Sequence, residues 1–580
     1  MRKGVPVSPG VAVAPAYLLG VVSRKPLHVD DGAIGTEIHR LEQACVAAGH
    51  ELDVLVARVD SQIGDEEAAI FRAHRTLLRD PALLSQVKSH IQNVHVDAAA
   101  ALQATLDEYA ELFQHLPEGY LQERLTDLRD VISRIQSHLS PETPAGDGLL
   151  EPVILVAQEI LPSQALALDR RLVAGIVTER GSTTGHAAIL ARSLGIPAVS
   201  GVRDLMSFIH AGDKIALDGR DGHIYVNPGV EVEAAYRKLQ REYVDLRGKV
   251  AENCHAEAIT PDGHRVELLA NVNGVDDAAA AGNVGAVGVG LFRTEYIFLR
   301  HPSVPDEEEQ YAAYRAVVEA APNRTVTIRS LDLGGDKQVP YLGRHDEANP
   351  FMGWRSIRLA AAYPELFETQ LRAILRAGLH GKVSLLFPMI TTLQEVRHLK
   401  RAVIRAKETL RHQKVPFNDD VPVGIMVEVP AAALCIERLL REVDFVSVGS
   451  NDLLQYLMAA DRDNPRVANL CDPFHPALLG LIGRVIRACD RANKPVTVCG
   501  EMAGWPRCFL ALFGLGLRRL SMSPAFLPSI KEVVRHTPLT AARHAARRAL
   551  KLSTPGAVRR YLTHKVQAVW PDVKLLDIRK

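Results

Sequence analysis

His186 ends a turn of small residues, Gly181-Ser-Thr-Thr-Gly185, and opens a helical pattern in which Ile189, Leu190 and Leu194 recur before Gly195. A histidine so placed lies over free backbone N–H groups and the positive end of a helix dipole. A neutral imidazole there can take up a phosphoryl group and have its charge stabilised. The chain has 22 histidines; the small-residue turn sets this one apart. A second set of reactive residues follows apolar runs further on: Arg293, Arg329 with Asp332, Glu428, Asn451-Asp452, and Cys499 with Glu501. Glu428 and Asp452 offer hard oxygen ligands of the kind Mg²⁺ accepts, one or two carboxylates with substrate and water completing the shell. Arginines grip phosphate and carboxylate bidentately. The pattern therefore points to a small substrate that carries both groups and chelates a metal. Arg355 and Arg462 are further candidates, while Arg358, three residues from Arg355, reads as part of a solvated helix face. Cys499 is either a buried structural cysteine or a proton donor.

The elements that must hold these residues are legible as eight apolar runs: Val266–Val272, Ala286–Leu291, Thr325–Leu331, Val383–Ile390, Val423–Val427, Asp444–Val448, Pro495–Val498 and Arg519–Met522. Buried strands alternating with helices predict a (β/α)8 barrel, whose functional groups gather at the C-terminal strand ends. Upstream, the first 20 residues suggest one or two short strands. From Thr36 to Leu139 apolar residues recur at three and four. Breaks near Gly64, Asp80-Pro81 and Pro117 divide the block into four helices, a bundle that is either a structural module or a partner-docking surface. After the turn-rich stretch from Ser140, further strands surround the His186 helix in a compact α/β domain, with the bundle inserted after its first strand. One long helix over residues 231–257 leads into the barrel. The fold expected is thus multidomain α/β: an α/β domain over residues 1–35 and 141–230 with an inserted helical domain, 36–140, a linker helix, 231–258, and a TIM-type barrel, 259–580.

Composition narrows the function classes. With 580 residues there is room for several cores, and 68 basic residues against 68 acidic argue against a nucleic-acid binder or a polybasic membrane protein. Seven cysteines without a C-x-x-C pair suggest reduced thiols, the other six cysteines being structural or surface residues. No apolar run is long enough to span a membrane, and Pro6, Pro9, Gly10 and Pro15 interrupt any signal-peptide core. A cytoplasmic enzyme is expected.

Several motifs, in one order over nearly the whole chain, resemble the phosphoenolpyruvate-utilising enzymes, and among them the enzyme I group of the bacterial phosphotransferase system. They are Thr183-Thr-Gly-His186-Ala-Ala-Ile-Leu-Ala-Arg, Phe292-Arg-Thr-Glu295, Asp332-Leu-Gly-Gly-Asp-Lys337, Asn349-Pro-Phe-Met-Gly-Trp-Arg355, Val427-Glu-Val-Pro-Ala-Ala432, Gly449-Ser-Asn-Asp-Leu-Leu-Gln-Tyr456 and Cys499-Gly-Glu-Met-Ala-Gly504. Gly4-Val-Pro-Val-Ser-Pro-Gly10 and Glu66-Glu-Ala-Ala-Ile-Phe-Arg-Ala-His74 extend the match.

The resemblance implies that phosphoenolpyruvate binds the barrel with Mg²⁺ on Glu428 and Asp452, contacted by Arg293, Arg329, Asn451 and Arg462, with Arg355 nearby. It implies that His186 takes the phosphoryl group and Cys499 protonates the enolate to pyruvate. The helical block would dock a histidine-containing carrier of HPr type, the histidine domain would swing between the two sites, and the barrel would form a homodimer. Two positions depart from the usual turn: Ser182 stands for a second glycine, and Gly185 for a small polar residue before the histidine. Ser450 replaces a more usual threonine.

Phosphoenolpyruvate synthases and pyruvate phosphate dikinases need a further nucleotide-binding domain, and no glycine-rich nucleotide loop precedes His186. A nitrogen-type regulatory phosphorelay would share the chemistry. With no sensory domain before Met1 and no fused carrier, the sugar-uptake role is the expected one. A metal-dependent enolate lyase or aldolase would leave the His186 turn unexplained.

Overall fold

The computed structural model describes residues 1–19, 29–62, 65–114, 119–139, 151–160, 172–179, 191, 195–301, 303–334, 339, 341, 347, 349–462, 464 and 466–576. His186 and its turn, Lys337 and the join after Ser140 lie outside these residues. The chain forms two compact units, one built on residues 1–246 and the other on 247–574.

In the first unit three strands among the described residues, rather than one or two, precede the helices: β1 (Arg2–Lys3), β2 (Val5–Ser8) and β3 (Val11–Leu19). They join β4 (Val153–Ala157), β5 (Val173–Thr178), β6 (Ala198–Ser200), β7 (Lys214–Asp218) and β8 (His223–Val226) in one sheet of order β1-β8-β7-β3-β4-β5-β6-β2. Alternate side chains of β4 enter two cores: Leu155 packs with Val7 and Ile176, Ile154 and Val156 with Ala12, Ile215 and Leu217. Burial on both faces explains why the strands read as apolar runs rather than alternating ones.

Among the described residues five helices lie between β3 and β4, α1 (Ile34–Gln62), α2 (Asp65–Leu78), α3 (Pro81–Val94), α4 (Ala98–Gln114) and α5 (Gly119–Leu139). That is one more than the sequence predicts. The extra break falls at His95, which adopts the left-handed conformation (φ 58°), and Asp97 restarts the helix by accepting a hydrogen bond from the Ala100 amide at 2.8 Å. Neither residue is a glycine or proline, so the break carries no strong sequence mark. At the break that is legible, Asp80 caps α3 through the Ala82 amide and Pro81 occupies the first turn. Leu41, Leu52, Val87, Ile91, Leu102 and Ile135 form the bundle's core.

The helix Val230–Glu252 carries Glu231 and Glu233 in its first turn and Lys249 in its last, matching the helix dipole. Beyond it lies a closed, all-parallel barrel of eight strands: β9 (Glu267–Val272), β10 (Val289–Arg293), β11 (Thr325–Arg329), β12 (Lys382–Phe387), β13 (Val423–Val427), β14 (Phe445–Val448), β15 (Val496–Val498) and β16 (Arg519–Met522), β16 pairing back to β9. The eight expected runs are the eight strands. The largest shifts are of three residues, at β10, which begins at Val289 rather than Ala286, and at β12, which ends at Phe387 rather than Ile390; the pairing of β10 with β9 slips between Val289 and Leu291. Among the described residues no helix is long and apolar enough to cross a membrane.

Candidate active site at the C-terminal end of the barrel

Arg329 is the last residue of β11 and is buried. Its Nη2 donates to Glu295 Oε1 and its Nη1 pairs with Asp332 Oδ2 at 3.1 Å. Asp332 in turn accepts a bidentate pair from Arg355, Nε and Nη2 each at 3.0 Å. Arg355 Nη1 reaches Asp452 Oδ1 at 3.0 Å and Tyr456 OH at 3.3 Å. The result is a ladder of alternating charge, Glu295–Arg329–Asp332–Arg355–Asp452, running across strand ends that are far apart in sequence. Burial alone would lower the pKa of both arginines, but the carboxylates outweigh it and hold both above the ordinary arginine value. They remain cations in a dry site, where a fixed positive charge acts on an anion with little screening.

Arg355 is delivered by strained backbone. The next residue, Ser356, has φ 59° and ψ −126°, a conformation that favours glycine, and is pinned by its amide donating to Leu333 O at 2.8 Å. Arg358 is not a solvated face residue: its Nη1 donates to Met352 O and Gly353 O, both at 2.8 Å, and so holds the loop that carries Arg355.

Glu428 follows β13 and is fully buried. Its Oε1 accepts from the Met389 amide at 2.6 Å, and Oε2 has no hydrogen-bond partner among the described residues. Burial first, then the neighbouring Asp452 and Asp332 charges, push its carboxyl up to about 8, with Arg329 and Arg355 opposing. A Cβ on Gly449 would stand 2.6 Å from Glu428 Oε2 and 3.0 Å from Met426 Sδ, so glycine there lets the chain pass close to the carboxylate. Asp452 lies in the first turn of the helix Ser450–Met458 that follows β14. A buried carboxylate oxygen without a donor, beside a second carboxylate, is the donor set a divalent cation fits.

Asn451 precedes Asp452. Its Oδ1 accepts from the Glu501 amide at 3.1 Å and its Nδ2 faces Glu501 Oε1 at 3.5 Å, which ties the ends of β14 and β15 together. Arg293, half-buried, closes β10 with Nη1 3.5 Å from Asn273 Oδ1. Arg462 stands just beyond the helix Ser450–Met458, its amide donating to Gln455 Oε1 at 3.3 Å. Cys499 is buried at the end of β15. Its thiol accepts from Ser447 Oγ at 3.2 Å and donates to Val448 O at 3.5 Å.

The barrel thus brings Arg329, Arg355 and Asp452 into one bonded ladder, with Glu428 electrostatically coupled to it; Arg293, Asn451, Arg462 and Cys499 stand at neighbouring strand ends or just beyond. His186 lies outside the described residues. Sequence reasoning did not single out Glu295 and Tyr456 within the motifs that contain them, nor Gln370 on the helix Pro364–Ala377. Gln370 had a visible signal, since it falls one turn from Leu366 and Ile374 on that helix's apolar face.

Matches to known proteins agree with this geometry. Residues 3–124 match the N-terminal model of PEP-utilising enzymes, 149–222 their mobile domain and 247–539 their PEP-binding domain, which contains the strand-end site. The fold and the three domain matches are those of a phosphoenolpyruvate-utilising enzyme. The chain is 42% identical over 521 residues to the phosphoenolpyruvate-protein phosphotransferase of Geobacillus stearothermophilus, covering 90% of each chain. It is 41% identical over 524 residues to that of Bacillus sp. (strain S), again 90% of each. With that of Staphylococcus carnosus (strain TM300) it shares 38% over 556 residues, 95% of this chain and 96% of the relative. The chain belongs to the phosphoenolpyruvate-protein phosphotransferase family.

Proposed function

We propose that the protein phosphorylates its own His186 from phosphoenolpyruvate, releases pyruvate, and passes the phosphoryl group to a histidine of a small HPr-type carrier, as the first step of sugar uptake. The observation that carries this reading is the buried arginine–carboxylate ladder at the barrel's C-terminal end. Arg293 and Arg329 grip the substrate phosphate; Asn451 and Arg462 contact its remaining polar groups; Arg355 braces Asp332 and Asp452. Glu428 and Asp452 would hold Mg²⁺, which when bound neutralises charge on the phosphate and on the enolate oxygen.

The neutral His186 imidazole attacks phosphorus in line. A P–N bond forms, the P–O bond to the enol oxygen breaks, and its electron pair stays on the enolate. The Cys499 thiol then gives its proton to the enolate carbon, and the thiolate is reprotonated from solvent. Residues 36–140 dock the carrier, 1–35 and 141–230 carry His186, 231–258 link them to the barrel, and 259–580 bind phosphoenolpyruvate and form a homodimer in the cytoplasm. Because donor and acceptor sites lie on different domains, the histidine domain swings between them.

Incubation with [³²P]phosphoenolpyruvate and Mg²⁺ should place acid-labile, base-stable label on the protein, and His186→Ala should abolish it. Label retained at the parental level in that variant would remove His186 as the acceptor.

A further inference from the structure

The helix Pro364–Ala377 buries Leu366, Phe367, Leu371, Ile374 and Leu375, and among them one polar side chain, Gln370, with no exposed surface. Its amide is used at both ends. Oε1 accepts from the Leu331 amide at 2.8 Å; Nε2 donates to Thr294 Oγ1 at 3.1 Å and to Tyr314 OH at 3.0 Å. Thr294 Oγ1 donates to the carbonyl of Arg329 at 2.8 Å. Thr294 is the residue after Arg293, and Leu331 stands two beyond Arg329. A closed ring therefore runs from Arg329 O through Thr294 and Gln370 to Leu331 N, and one amide ties together the strand ends that carry both arginines.

The backbone ladder does not do this alone. Arg293 pairs with Arg329, but the register between β10 and β11 shifts between Val289 and Phe292, just before that pair. Thr294, Gln370 and Tyr314 are all fully buried, so none of these bonds can be replaced by water. The ring needs a donor and an acceptor on one side chain of this length. Glutamate lacks the donor, methionine lacks both, and either leaves buried groups unsatisfied.

We propose that Gln370 is a positioning residue for the substrate phosphate: without touching the substrate, it fixes the spacing of Arg293 and Arg329. The inference rests on the assignment of these two arginines to phosphoenolpyruvate.

The test is calorimetric titration of the full-length protein carrying His186→Ala, so that no phosphoryl transfer follows binding, with Mg²⁺, by phosphoenolpyruvate and separately by pyruvate, which lacks the phosphate. Gln370→Met should weaken phosphoenolpyruvate binding about tenfold, the scale of a lost buried hydrogen bond, and leave pyruvate binding within about twofold. Tyr314→Phe, which keeps the ring between the strand ends, should bind both ligands as the parent does. Thr294→Val should reproduce the Gln370→Met loss, and the double variant should lose no more than either. If Gln370→Met does not fold, Gln370→Glu, which keeps the acceptor for Leu331, should show the same selective loss. Parental affinity in the Gln370 variant, or an equal loss in Tyr314→Phe, would overturn the inference alone. No binding of phosphoenolpyruvate by the His186→Ala parent would overturn the functional reading and this inference with it.

Discussion

Cys499 illustrates how one side chain's setting selects its chemistry. Burial pushes its thiol up to about 11, against the opposing hydrogen bond from Ser447. A raised pKa keeps the group protonated, so the donor form is complete below that value and is lost only as pH rises through it. A thiol that stays protonated suits proton delivery to an enolate and is a poor nucleophile. Two results follow. Cys499→Ala should still acquire label on His186 but form pyruvate about a hundredfold more slowly, since removing a general acid typically costs at least that; a coupled pyruvate assay beside the labelling assay separates the steps. Parental pyruvate turnover in that variant would take Cys499 out of the mechanism. In the parent, pyruvate formation should show no loss attributable to this donor between about pH 6 and pH 9, because the thiol is protonated throughout.

At the scale of elements, the site depends on how closely neighbouring strand ends approach. A Cβ on Gly500 would collide with Ser450 Oγ and lie 3.0 Å from Asn451 Oδ1. Gly500→Ala must therefore turn the Ser450 side chain aside and crowd its Cβ and the Asn451 amide at the start of the helix Ser450–Met458, next to Asp452. We expect about 1–3 kcal/mol of lost stability in a denaturant titration, the usual cost of overpacking, with His186 labelling slowed at least about tenfold. A variant of parental activity would show that the helix start tolerates movement. The barrel itself was legible because burial on all sides forces near-continuous apolar strands such as Val423–Val427 and Arg519–Met522, whose ends match the sequence reading to the residue. The strand ends then named Arg329, Glu428 and Asp452 without further help. What the sequence hid was pairing. Nothing in the string shows that Glu295 is the carboxylate beneath Arg329, or that Arg358 braces a loop rather than facing solvent. The first arises from a contact between two strand ends far apart in sequence, the second from a loop that folds back so that Arg358 meets the Met352 and Gly353 carbonyls. The break at His95 was hidden for a different reason: a left-handed residue that is not glycine leaves no compositional mark.

For the whole molecule, the division between the two compact units falls inside the helix Val230–Glu252, between Leu246 and Arg247. The described residues of the barrel site all lie in the second unit, whereas His186 belongs to the first. In the proposed cycle, substrate binding is then a property of the barrel alone, and phosphorylation a property of the two units coupled through this helix. A lesion in the helix should separate the two. Val244 is suited to the test, being 61% exposed at mid-helix. Proline there removes a backbone donor and clashes with the preceding turn, at a cost of about 3 kcal/mol in a helix interior. Val244→Pro should bind phosphoenolpyruvate with Mg²⁺ within about twofold of the parent, because no residue of the ladder moves. Its single-turnover labelling of His186 should slow by at least about tenfold, because the kinked connector no longer delivers the histidine in line. Calorimetric titration in a His186→Ala background, where no phosphoryl transfer follows binding, measures the first, and rapid-quench labelling with His186 intact measures the second. Parental labelling rates would mean that the helix acts only as a tether, with delivery governed by contacts elsewhere; weakened binding would mean that the barrel site depends on the connector's integrity.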